Sequence, residues 1–250
     1  MDGAETGTKQ PHETGKGVEM STVMAAKTAS SNAGDIKAKL EFTKSLNQVS
    51  NKIHATGNVD EIMLDVSRDI CALFNADRLT IYVVGEDNIS LVSKVKTGLN
   101  SFKDLKLPIA EQSLAGYAAM HKKLLNIKDV YDEKELAGYS PHLRFLQEVD
   151  KRTGYRTKQM LVAPILDASH GDLVGVIQVI NNKAGAPFAV LIEEGVQELA
   201  QTMAVALRQH LRQRESSIKT KYDYLVADGV LSAAEFELAT RTARHTGYRC

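Results

Sequence analysis

The sequence predicts an α/β fold, and three patterns carry that prediction. An apolar run, Met160 to Leu166, is followed by a polar turn at 167–172 and a second apolar run, Leu173 to Ile180. Two runs rich in Val, Ile and Leu around a Gly/Asp/Ser/His turn form a β-hairpin. Both are apolar nearly throughout, which places them at a sheet's centre, covered on both faces. Leu79, Ile81 and Val83 alternate with Thr80, Tyr82 and Val84, the period of another strand. Helical spacing appears in Ile62, Val66, Ile70 and Leu73, and again in Val196, Leu199, Met203 and Leu207. Amphipathic helices need an apolar surface to cover, and such strands provide one.

Taken in order, residues 1–34 are rich in Gly, Thr, Ser, Lys and Ala. With few large apolar groups to bury, they are expected to form a disordered tail. Gly15-Lys16 does not open a phosphate loop. That motif needs a glycine where Gln10 stands and a hydroxyl where Gly17 stands. A leading helix is expected over 35–57. Its seam is Phe42, Leu46, Val49 and Ile53, at spacings of four, three and four. So narrow a stripe fits either packing on its own domain or a helix pair in a dimer.

A second helix is expected over 60–76, with Asp60 and Glu61 on the favourable side of its dipole. Strands follow at 78–84 and 89–96 and around Leu105, Leu107 and Ile109. Ser113 is placed to cap a helix over 114–122, and 124–127 is a short extended piece. The stretch 129–149 exceeds an ordinary connection, so it is expected to carry one or two short helices and to cover a pocket. A long trailing helix begins near Val190, runs beyond Leu211 and extends its apolar spacing through Ile218 and Tyr222. Over 213–250 that helix ends at Asp228-Gly229 and leads into a helical hairpin. Ser232 caps its second arm and Glu235 takes the capping-box position.

Composition narrows the function. Lys plus Arg and Asp plus Glu are 31 each, which removes the simplest argument for nucleic-acid binding. No apolar run reaches the ~18 residues that span a bilayer. The N-terminus lacks an apolar signal core, so a cytoplasmic protein is expected. Cys71 and Cys250 build no disulfide framework, and the seven histidines show no metal-ligand spacing. No catalytic residue and no cofactor is assigned.

The polar loop Asp150 to Thr157, leading into the hairpin, is a good place for a ligand site. Asp150, Thr153, Gly154, Tyr155 and Thr157, then Leu161 with Pro164, Gly175, and Asn182-Lys183 before Phe188, resemble GAF domains. Within that family the chain is similar to those of cyclic-nucleotide phosphodiesterases and related adenylyl cyclases, over roughly residues 58–212. The resemblance implies a central antiparallel sheet of about five or six strands flanked by helices. It implies a small ligand, cyclic AMP or cyclic GMP, and signalling through the terminal helices of a homodimer.

The implied ligand contacts are Thr80, Leu114, Ala115, Asp150, Thr153 and Thr157, joined by Lys96 and Thr97. At those last two positions cyclic-GMP binders of the family carry a Phe-Asp pair, so an aromatic clamp and a base-recognising carboxylate are missing. The family's Asn-Lys-Phe-Asp-Glu signature is also incomplete. Its Asp position holds Ile192, and Glu193 or Glu194 is expected to partner Lys183 instead. The segment from Leu225 to Gly247 is similar to the start of the N-terminal domain of type II secretion and type IV pilus ATPases. A generic helical hairpin fits it equally. That likeness gives the alternative function: a non-catalytic dimerisation or docking module with a vestigial pocket, associated with such an ATPase.

Overall fold

The computed structural model describes residues 16–55, 59–96, 105–229, 232 and 234. Its strands are β1 (Ala76–Val84), β2 (Ser90–Lys96), β3 (Lys106–Pro108), β4 (Leu125–Ile127), β5 (Met160–Leu166) and β6 (Leu173–Asn182). They form one antiparallel sheet in the order β3-β2-β1-β6-β5-β4. The helices are α1 (Lys16–Ala55), α2 (Val59–Leu73), α3 (Leu114–His121), α4 (Glu133–Ala137), α5 (Glu148–Thr153) and α6 (Val190–Ala227). The expected α/β class, with a central antiparallel sheet flanked by helices, is the observed one.

Register decides which residues share a face. Thr80 stands opposite Gln178 and Tyr82 opposite Val176, while Gln178 pairs onward with Val162 on β5. Tyr82, Val162 and Val176 pack with Leu114, Ala115 and Tyr117 of α3, so this face looks toward α3. On the other face Asn126, opposite Leu161, bonds to Glu193 of α6. α2 and α6 pack on that side. Gly175 makes the tight β1–β6 approach possible, because a Cβ there would strike the Tyr82 carbonyl oxygen.

The polar stretch between β4 and β5 carries α4 and α5, as its length predicts. α2 stops at Leu73, short of the expected end, because Asn75 turns the chain through a left-handed conformation (φ 49°) into β1. α6 is one continuous helix to Ala227, and Gly229 with φ 71° follows it. The hairpin's second arm, with Glu235, lies outside the described residues, as do the side chains of Leu211, Ile218 and Tyr222.

Two expectations change. The backbone is helical from Lys16, so 16–34 is not the disordered tail the composition predicts. Burial governs tertiary packing, but extending an existing helix needs only one backbone bond per residue, and Ala, Met and Lys allow it. The second change concerns the seam of α1. By its contacts the chain divides into residues 1–44 and 45–250. In the first unit Ile36 and Leu40 are exposed. In the second, Leu46, Val49 and Ile53 are buried within the chain itself, Leu46 to 2% exposure. Thr202 of α6 donates to Ser50 at 3.5 Å, and Lys52 pairs with Asp69 of α2 at 2.5 Å. The stripe therefore fills its own domain and is not a free dimer face. Among the described residues no helix is long and apolar enough to cross a membrane.

The burial of this stripe predicts an asymmetry. Leu46→Ala should cost ~2–5 kcal/mol by urea denaturation, as core truncations do. Leu40→Ala, at a position 52% exposed, should stay within ~0.5 kcal/mol. Equal small effects would contradict the packing.

Candidate functional site

Ten polar or charged residues are buried among the described residues. Eight have polar partners; Ser93, for example, accepts from Leu105 N, and Gln159 donates to the Gly185 carbonyl. Thr80 (6% exposed) and Gln178 (7%) make no side-chain hydrogen bond to the described residues. Their polar atoms are not sealed either. Among the described residues the one enclosed side-chain oxygen or nitrogen without a partner is Asn126 Oδ1. A buried amide or hydroxyl without a partner is costly, so such groups normally face water or a ligand. Thr80 and Gln178 are cross-strand neighbours on the face that looks toward α3. They form a polar floor in an otherwise apolar surface, the usual composition of a small-molecule site.

A lid covers that face. Its residues Val130, Leu136 and Leu143 belong to the same apolar cluster as Tyr82 and Val162, and Tyr131 and Phe145 pack against it. One carboxylate closes it. Asp150, buried on α5, accepts from Thr157 N at 2.7 Å, from Thr157 Oγ1 at 2.8 Å and from the Tyr131 hydroxyl at 3.0 Å. Gly154, with φ 67°, lets the chain reverse between Asp150 and Thr157. Arg156 lies 3.5 Å over the Tyr131 ring and bonds to Asp129. Burial first, and Asp150 second, push the Tyr131 phenol above its ordinary pKa, which keeps it a donor.

At the lid's far side Glu111 accepts from Ser140 at 2.8 Å and meets His121 Nε2 at 2.9 Å. The Ser140 hydroxyl, then His121, hold the Glu111 carboxyl below the usual range. Tyr117 donates to the Tyr139 carbonyl, and Arg144 N to the Gln112 carbonyl. Ser113 caps α3 as expected, accepting from Gly116 N at 3.1 Å.

The residues singled out in the sequence distribute as follows. Thr80 is on the floor, and Lys96 pairs with it on β2. Thr97 lies outside the described residues. Leu114 and Ala115 are buried at the start of α3 beneath the lid. Asp150 and Thr157 are brought together, each bonded to the other. Thr153 is exposed, and its hydroxyl donates to the Val149 carbonyl at 2.8 Å. Gln178 escaped the sequence reading. Its one signal is an amide in the middle of the run Leu173 to Ile180.

The expected partner of Lys183 is corrected. Lys183 is exposed and forms no ion pair among the described residues. Glu193 is engaged elsewhere, accepting from Asn126 Nδ2 at 2.6 Å. Asp167, His170 and Asp172 cluster at the β5–β6 turn, but Arg208 already bonds Asp167 at 2.9 Å and Asp172 at 3.0 Å.

Comparison with known proteins places this architecture. The family model described as GAF domain matches residues 58–207. The dual 3',5'-cyclic-AMP and -GMP phosphodiesterase 11 of Drosophila melanogaster is 30% identical over 177 residues, covering 65% of this chain and 12% of its own. The phosphodiesterase 11A of Takifugu rubripes is 30% identical over 169 residues, 63% of this chain and 17% of its own. The chain thus spans less than a fifth of the length of these two relatives. Among solved structures, the GAF domain of a phosphoenolpyruvate-protein phosphotransferase from Coxiella burnetii superposes with a TM-score of 0.58. It is 20% identical, with 71% of this chain and 98% of that one covered. The free methionine-R-sulfoxide reductase of Neisseria meningitidis superposes at 0.54 with 12% identity, covering 70% and 93%. The same fold therefore also serves an enzyme.

Two outcomes follow from the clasp and its tyrosines. Asp150→Ala strands three donors and should cost at least ~2 kcal/mol in denaturant melts, with Asp150→Asn intermediate. A neutral Asp150→Ala would contradict the clasp. Burial raises Tyr82 to about 12 and, with Asp150, raises Tyr131. A raised folded pKa gives stability that is full below the ordinary tyrosine value near ~10 and is lost as pH climbs through the folded values. Phenolate absorbance should therefore show these tyrosines ionising only together with alkaline unfolding. Complete ionisation near pH ~10 in a folded protein would be the contrary result.

Proposed function

The chain belongs to the GAF domain family, and we propose that its domain is a sensory module binding a cyclic nucleotide between the sheet and the lid. The observation that carries this reading is the Thr80–Gln178 pair, buried on the face toward α3 with no side-chain hydrogen bond to the described residues. A flat purine suits a floor with apolar surroundings and a few polar groups. The relatives whose names link them to cyclic AMP and cyclic GMP support the choice of ligand.

In this reading Asp150 and Thr157 shape the pocket by holding the lid. Lys96, Thr97, Thr153, Leu114 and Ala115 line or flank its mouth. The free N–H groups of a helix start suit a phosphate. Closure is passed to α6 through β4. Asn126 sits just before the lid and donates to Glu193 and to the Phe188 carbonyl, beside the first turn of α6. The module is placed in the cytoplasm, and any homodimer forms through surfaces other than the Leu46–Ile53 stripe.

A second reading, a docking module with a vestigial pocket attached to a secretion or pilus ATPase, has one observation in its favour. The Asp150 carboxylate and the Thr153 and Thr157 hydroxyls are taken by protein partners. Thermal unfolding separates the two readings. Cyclic AMP or cyclic GMP at 100 times its dissociation constant should stabilise the protein by ~2.7 kcal/mol. No shift at millimolar nucleotide, with calorimetry also silent, favours the docking module.

A further inference from the structure

We propose that the β5–β6 turn, residues 167–172, is a strut that couples α3 on one face of the sheet to α6 on the other. This rests on the sensory reading above only in taking α3, whose first turn lies beneath the lid, as the input side. α3 packs on the face that carries Tyr82, Val162 and Val176, and α6 packs on the opposite face. The sheet lies between them, so a link from one to the other has to pass around it. The turn stands at the end of β5 and β6, the strands that carry Val162 and Gln178.

Both helices hold the turn. At the C-cap of α3, the Lys122 ammonium donates to the Gly171 carbonyl at 2.7 Å. From α6, Arg208 Nη2 lies 2.9 Å from Asp167 Oδ2 and 3.0 Å from Asp172 Oδ2. The turn between these contacts is braced. Gly171 N donates to the Asp167 carbonyl, Asp167 N to the Asp172 carbonyl, and Ser169 N to Asp167 Oδ1. A displacement of Gly171 therefore carries Asp167 and Asp172 with it. The Ser169 amide, then His170 and Arg208, hold the Asp167 carboxyl below the usual carboxylate range, so the clamp on Arg208 stays charged at neutral pH.

Two features set these contacts apart from ordinary surface pairs. Lys122 has φ 52°, a left-handed helix end that glycine adopts most easily. A glycine there could not reach Gly171, and the lysine does. Arg208 directly follows Leu207, the last buried side chain of α6 among the described residues, and α6 continues about 28 Å further to Ala227. A small rotation at the clamp is thus carried along that length.

The test is hydrogen exchange, read by mass spectrometry, on the ligand-free full chain and its Arg208→Gln, Arg208→Lys and Lys122→Met variants. Arg208→Gln should speed exchange of α6 after Leu207 by about 2- to 5-fold, the size expected when a partly exposed ion pair is lost. Arg208→Lys keeps the charge and should stay nearer wild type. The coupling shows in the crossed readouts. Lys122→Met, a change on α3, should speed the same α6 segment, and Arg208→Gln should speed exchange at the end of α3. In the double variant each segment should change by less than the product of the two single factors. Unaltered exchange in β1 serves as the control for folding. Arg208→Gln without effect on α6 overturns the clamp. Effects confined to the substituted helix, or purely multiplicative ones, overturn the strut. No nucleotide enters this test, so its failure is distinct from a calorimetric failure of the cyclic-nucleotide reading.

Discussion

The pairing of β1 with β6 is the constraint on which the rest depends. It is the central seam of the sheet, and it closes only because Gly175 lets the Tyr82 carbonyl approach. Side chains alternate with a period of two, so a one-residue slip would turn every residue of β1 to the other face. Leu79 and Ile81 would leave the α2/α6 side, and Thr80 and Tyr82 would be carried into it. The register that buries the apolar set is thus the one that puts Thr80 beside Gln178 under the lid. Core and site are specified by the same hydrogen-bond ladder.

Over this floor lies a lid that shares the apolar cluster of Tyr82 and Val162 and is pinned at its two sides by polar contacts. Asp150 joins α5, the start of β5 and Tyr131 through one carboxylate. Glu111 joins the α3 corner to Ser140. Hydrogen bonds to charged groups contribute more than neutral ones and are directional, so they fix where the lid sits. Opening it would break these bonds and expose Val130, Leu136 and Leu143 while leaving the strand ladder paired. A paired floor under a pinned cover suits the sensory reading proposed above. The same geometry accounts for the position of Asn126, which stands at the root of the lid and reaches α6.

Much of the fold is legible in the sequence because periodicity reports burial directly. The alternation at 79–84 and the two apolar runs at 160–180 give the strands, and Ser113 and Gly229 mark helix ends. Periodicity does not say what covers a buried face, so the stripe of Leu46, Val49 and Ile53 fits a dimer as readily as its own domain. Reasoning from burial also misses a helix that needs no burial, which is why 16–34 reads as a tail. In the site, spacing brings Asp150 and Thr157 together but cannot reveal that they satisfy each other. Glu193 finds Asn126, 67 residues away, a contact that no local pattern encodes. Gln178 is hidden by its neighbours. A run apolar nearly throughout reads as a strand covered on both faces, and one amide within it looks like an exception until the structure shows it buried with no side-chain hydrogen bond to the described residues.

The central claim is that the floor under the lid receives the ligand, and the Gln178 side-chain amide is its most direct reporter. Glutamine-selective ¹⁵N labelling, with a Gln178→Leu spectrum for assignment, allows that amide to be followed as cyclic AMP is added. A saturable shift of the Gln178 amide, larger than that of Gln159, which already donates to the Gly185 carbonyl, is the result this structure predicts. A Gln178 amide that stays in place while calorimetry reports bound nucleotide would put the ligand elsewhere and contradict the claim.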